Sequence, residues 1–141
     1  MHIMQTFLPY SSFVASSRAL DNLRLGKQRV ETLQILKALR DPTYGWQHHP
    51  AKKMWEGFDH SLILYGTIVC CEWQRRGFKD TVMHKLAAYA TSDIYNAPQP
   101  KWLGDDRVHS SHRSNLIFKD PPYYKAYGWT DSIFADYYWP V

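Results

Sequence analysis

Cysteine is nearly absent from this chain, and the little there is argues against two classes of small protein. Cys70 and Cys71 are the only two in 141 residues and they are adjacent, which suits neither an ordinary disulfide nor a pair of zinc ligands. In their apolar surroundings they read as packing residues of a reduced protein. Long apolar runs are missing too: nothing approaches the roughly 20 residues that span a bilayer. The opening stretch Met1-His2-Ile3-Met4-Gln5-Thr6-Phe7 has no charged start followed by a hydrophobic segment. The reading is a cytoplasmic protein with no membrane partner. Also lacking are internal repeats, low-complexity runs and the apolar/polar alternation of a sheet, so the fold is expected to be all-α.

Enough hydrophobic material is present for a real core. At 45% hydrophobic and 16% aromatic residues, disorder is excluded, and a chain of this length makes one domain, residues 1–141, rather than two. Seventeen basic against thirteen acidic residues give a net charge of +4. Such an excess is compatible with a polyanion partner without demanding one.

The expected architecture is a compact helical bundle with an extended N-terminal arm and a long central helix. Pro9 and the absence of any helical period make residues 1–10 the arm, with Ser11 or Ser12 capping a short helix. A second helix covers about 21–40 and ends before Pro42. Pro50 starts the central helix, in which Trp55, Phe58, Leu62, Tyr65, Val69 and Trp73 recur at spacings of three and four as far as Arg76, and Gly77 stops it. A helix over 80–90, a loop over 92–104, a helix capped by Asp105 or Asp106, and an aromatic segment after Pro121-Pro122 complete the chain.

The helix over 21–40 carries an anomaly. At about 100° per residue, Leu23, Leu25, Val30, Leu33 and Leu36 share one arc, and Gly26 and Arg29 fall inside it, while Arg24, Lys27, Gln28 and Glu31 take the opposite side. An arginine among leucines needs an anion or acceptors. Either Arg29 belongs to a pocket, or its stem packs while the guanidinium reaches a neighbouring carboxylate.

Other residues could carry chemistry. His109 and His112 share a helix face at the spacing of metal ligands, with His48 or His49 as a third, but no acidic residue accompanies them, so polar or phosphate contacts are expected rather than a metal. Basic and aromatic residues interleave around His48-His49, Lys52, Lys53 and Trp55, around Trp73, Arg75 and Arg76, and around Tyr123, Tyr124 and Lys125, the mixture that neutralises phosphates and stacks on bases. Gly26-Lys27-Gln28-Arg29 lacks the flanking residues of a phosphate-binding loop. Lys27 is a candidate amine nucleophile if Arg24 and Arg29 depress its pKa.

Leu23-Arg24-Leu25-Gly26-Lys27-Gln28-Arg29-Val30, Cys71-Glu72-Trp73-Gln74-Arg75-Arg76-Gly77-Phe78-Lys79-Asp80-Thr81 and Pro122-Tyr123-Tyr124-Lys125-Ala126-Tyr127-Gly128 together resemble segments of the pyrimidine dimer DNA glycosylase family, in order. The resemblance implies a helical domain whose arm threads between helices. It also implies a glycosylase/AP lyase reaction in which the N-terminal α-amine, here of Met1, or of a chain starting at Met4, attacks C1′ of the damaged nucleotide. An α-amine, with an ordinary pKa near 8, is substantially neutral at physiological pH. Arg29 matches the family arginine that stabilises phosphate or developing charge. Gly26 falls where the family has its glutamate, and Glu31, one turn on, is the substitute acid/base. Arg24, His48, His49, Lys52, His109, His112, Arg113 and Lys125 are expected on the DNA backbone, and Trp46, Tyr124 or Trp129 as a wedge or stacking platform. The implied partner is damaged double-stranded DNA, met by a monomer without cofactor or metal. Competing readings are a non-catalytic DNA-binding protein of the same fold and a hydrolase built on the histidines.

Overall fold

A computed structural model describes residues 4–132 and 136–141. Among the described residues seven helices follow one another: α1 Phe13–Ala19, α2 Asn22–Arg40, α3 Pro50–Met54, α4 Asp59–Arg75, α5 Met83–Ala87, α6 Asp106–Lys119 and α7 Pro121–Tyr124, the last running into a 3₁₀ turn at Lys125–Tyr127. The fold is all-α, with no strand among the described residues. Helices α2 and α4 form the principal packed pair, with α1 and α5 laid against α4. Their contact is close at Gly66, where a β-carbon would stand 2.6 Å from Thr32 Cγ2 and 2.8 Å from Leu86 Cδ1. One apolar cluster runs from Met4, Phe7 and Leu8 of the arm through Leu25, Leu36, Trp55, Leu62 and Tyr65 to Val108, Leu116 and Tyr124.

Local signals account for most helix ends. Ser12 accepts from the Ala15 N–H at 3.1 Å to cap α1, and Asp105 accepts from the Arg107 N–H at 3.0 Å to cap α6. The expected helix over 50–76 is two helices, because the chain turns back at Gly57, whose φ of +83° is left-handed. The apolar period runs through the break, since Trp55 turns fully into the core from the turn itself. Periodicity therefore sees one helix where there are two.

The buried arc of α2 also differs from the expected one. Gln28, Glu31 and Thr32 are buried with Leu25, Leu33, Ile35 and Leu36, whereas Leu23 is 60% and Val30 45% exposed. The helix is rotated because the arm, residues 4–9, lies buried against its polar side.

Candidate active site

An extended segment buried among helices has no strand beside it, yet each of its amides and carbonyls needs a partner. In this arm nearly all the partners are side chains. The Gln5 N–H donates to Glu31 Oε2 at 2.9 Å, Gln28 Nε2 donates to the Gln5 carbonyl at 2.6 Å, and Gln28 Oε1 accepts from the Phe7 N–H. The Tyr65 hydroxyl lies 2.8 Å from the Phe7 carbonyl and 2.6 Å from Gln28 Oε1, within donating reach of both. The Leu8 N–H donates to His112 Nδ1 at 3.0 Å, and the Leu8 carbonyl lies 2.8 Å from His109 Nδ1. Arg113 donates to the Pro9 carbonyl at 2.8 Å.

Glu31 thus faces the arm on one side, and on the other it lines an open cleft of about 490 Å³ with Asn22, Leu23, Gly26, Lys27, Val30, Gln34 and Trp73. The cleft wall explains Gly26. The six-membered ring of Trp73 lies against it, so that a β-carbon there would stand 3.0 and 3.1 Å from Trp73 Cη2 and Cζ3. Trp73 is itself fixed by stacking on Phe78 at 4.1 Å, by donating to the Lys79 carbonyl at 3.1 Å, and by the Arg29 guanidinium 4.5 Å from its ring centroid.

Arg29 pairs with Asp80 at 2.6 Å. Burial pushes the Asp80 carboxyl up, but the Met83 N–H and Arg29 more than offset it and leave its pKa below the ordinary value. Of the two sequence-based alternatives for Arg29, the geometry is that of a guanidinium reaching a neighbouring carboxylate. It bears on the cleft through Trp73. Lys27 lines the cleft with its side chain exposed. Lys119, at the end of α6, comes within electrostatic range of Arg24, Lys27 and Glu31; partial burial and then those two cations lower its pKa. Met1 lies outside the described residues.

The residues expected to contact DNA are placed unevenly. His109 and His112 are buried 4% and 0% exposed and bind the arm. Burial, then the neighbouring His109 and Arg113, pushes the His112 pKa down to about 3. Arg113 is held by Asp131 and Asp106, Arg24 by Asp21, and Lys52 by Glu56. His49 Nδ1 caps α3 by accepting from the Ala51 N–H at 3.0 Å, and burial lowers its pKa. Tyr124 is buried, its hydroxyl donating to Asp21 Oδ1 at 2.5 Å, and its ring stacks on Trp129, which donates to the Tyr10 hydroxyl. His48, Trp46 and Lys125 are on the surface. Trp46 holds a left-handed backbone with φ of +69° while its ring packs edge-on against His49. Among the described residues no group of three His, Cys, Asp or Glu side chains is arranged to hold a metal ion.

Sequence reasoning passed over Gln28, Asp80 and Lys119, and took Trp73 for part of a basic–aromatic cluster with Arg75 and Arg76 rather than for the wall of a cleft. A signal for Gln28 existed. A buried arm in an all-α chain must be read by polar side chains, and Gln28/Glu31 repeats on α2 the spacing of three that His109/His112 shows on α6.

The family model for pyrimidine dimer DNA glycosylase matches residues 4–86, a span that holds the arm, α2, Glu31 and Trp73. The chain belongs to this family. Its substrate is accordingly DNA, and its class that of DNA-repair glycosylases of pyrimidine dimers. No curated protein and no solved structure matches the chain. The family match begins at Met4, which is fully buried, and covers both walls of the cleft. No described helix is long and apolar enough to cross a membrane.

Proposed function

We propose that the chain is a DNA glycosylase/AP lyase that excises damaged pyrimidines through an amine Schiff base formed beside Glu31. One observation carries the reading: a buried carboxylate accepts from the Gln5 N–H of the N-terminal arm on one side and lines an open, partly apolar cleft walled by an indole on the other. In the reaction the amine nitrogen attacks C1′ of the damaged nucleotide and the glycosidic bond breaks, the base leaving with a proton. The resulting imine loses a C2′ proton, and the 3′ phosphate departs by β-elimination. Hydrolysis then returns the amine. Glu31 is the group placed to take and give these protons.

The nucleophile is the α-amine of the arm, with Lys27 as the alternative on the facing turn of α2. Lys27, Arg24 and Lys119 surround the carboxylate with positive charge where a phosphodiester would lie. Arg29 supports the site by pinning Trp73 over Gly26. Lys125, His48 and Trp46 are the exposed candidates for wider contact with the duplex; the engaged or buried Arg24, Lys52, Arg113, His49, His109, His112 and Tyr124 would contribute through the scaffold. The protein would work as a monomer and without a cofactor.

Borohydride trapping with ultraviolet-irradiated and abasic duplexes tests this. The expected result is a covalent adduct with both, reduced at least a hundredfold in Glu31→Gln. A second reading, a DNA-binding protein without catalysis, draws on Gly26, where the family carboxylate has given way to an indole contact. Tight binding of both duplexes without any adduct would establish it.

A further inference from the structure

We propose that Gln28, His109 and His112 are positioning residues that set the register of the N-terminal arm against α2, the helix that carries Glu31, and thereby govern the rate at which the arm's amine forms its adduct. The inference rests on the arm carrying the reacting amine. Its evidence is the pattern of contacts along the arm rather than any single bond. The Gln28 side-chain amide bonds the carbonyl of Gln5 and the N–H of Phe7, two residues apart, as a neighbouring strand would. The two imidazoles then take both backbone groups of Leu8.

The tautomers follow from the bonds. The Gly104 N–H donates to His109 Nε2 at 2.9 Å, so His109 keeps its proton on Nδ1 and gives it to the Leu8 carbonyl. His112 Nδ1 accepts from the Leu8 N–H, so its proton is on Nε2, which has no hydrogen-bond partner among the described residues. One imidazole supplies the donor and the other the acceptor.

This arrangement discriminates between registers. Slipping the arm by one residue would move its end by about 3.3 Å and invert which side chains face the core. In one direction it would bring Pro9, which has no N–H, to His112, and in either direction it would move the Gln5 N–H away from Glu31. The three side chains come from two helices, and α2 also carries Glu31. The arm is therefore indexed against the helix that bears the acid/base.

The test compares His112→Leu, which removes the acceptor for the Leu8 N–H, with His112→Asn, whose side-chain oxygen can replace Nδ1. A third protein carries the α-hydroxy analogue of leucine at position 8, introduced by nonsense suppression, which replaces the Leu8 N–H by an ester oxygen and also weakens the Phe7 carbonyl as an acceptor for Tyr65. Each is assayed with an abasic duplex for the rate of borohydride-trapped adduct at saturating protein, for DNA affinity by anisotropy, and for the modified residue by peptide mapping. The expected result is at least a tenfold slower adduct in His112→Leu and in the ester protein, DNA affinity within threefold of wild type, and recovery to within threefold in His112→Asn.

Should His112→Leu not fold, the ester protein decides. An undiminished rate in the ester protein or in folded His112→Leu overturns the inference and leaves the lyase reading standing. So does an adduct on Lys27 in the wild-type chain. No adduct from the wild-type chain overturns both.

Discussion

At the scale of single residues, Glu31 and Gly26 matter most. Glu31→Gln keeps an oxygen for the Gln5 N–H and removes only the charge and the proton. The protein should keep its melting temperature within a few degrees while adduct formation falls at least a hundredfold, and a variant of unchanged rate would remove Glu31 from the chemistry. At Gly26 two effects compete. Alanine gains about 1 kcal/mol of helix propensity, but its methyl meets Trp73 at 3.0 Å, and overpacking costs about 1–3 kcal/mol. Trp73 is gripped by Arg29, Phe78 and the Lys79 carbonyl, so the ring has little room to yield. Gly26→Ala is expected to lower stability by about 1 kcal/mol in urea unfolding and to shift the indole fluorescence of Trp73.

At the scale of elements the arm is the central case. Its apolar side chains fill the core while its backbone is bound by α2, α4 and α6. Leu8, fully buried, should cost about 3 kcal/mol when cut to alanine, by lost transfer energy plus the cavity left behind. Pulling away the α5 support gives a different signature. Asp80 precedes α5, accepts from its Met83 N–H at 2.8 Å, and pairs with Arg29. Asp80→Ala would leave the guanidinium unpaired beside Trp73 and should cost about 3 kcal/mol, with the cleft opened on that side. Urea denaturation midpoints followed by circular dichroism check both.

For the whole molecule, pH is the revealing variable. His112 has an ordinary value of 6.5 and is pushed down to about 3 by burial. Between those values the unfolded chain binds a proton that the folded chain refuses, so stability rises with pH across the window and is lost as pH falls through it. The loss should reach several kcal/mol by about pH 3. Asp80, held below its ordinary value in the fold, adds its own loss as it is protonated at lower pH. Thermal unfolding of wild type and His112→Asn from pH 7 to 4 tests this: the Asn variant should show the shallower decline.

The chain determined a good deal without tertiary information. The helical periods, the caps at Ser12 and Asp105, the stop after Arg40 and the polyanion-compatible charge are written locally, because each depends on neighbours within a turn or two. Family membership is legible in the Leu23–Val30 and Cys71–Thr81 segments for the same reason. What waited on the fold was which face of α2 is inside. Periodicity assumes that burial follows hydrophobicity, whereas here a non-helical arm occupies the helix's polar side and exchanges backbone hydrogen bonds with Gln28 and Glu31. The same fact placed His109 and His112 inside rather than on the surface. Arg29 owed its site among apolar residues to Asp80 and Trp73, 51 and 44 positions away along the sequence, a distance no local pattern spans. Partners for a buried strand and for a buried charge are supplied through space, and only the assembled core decides which they are.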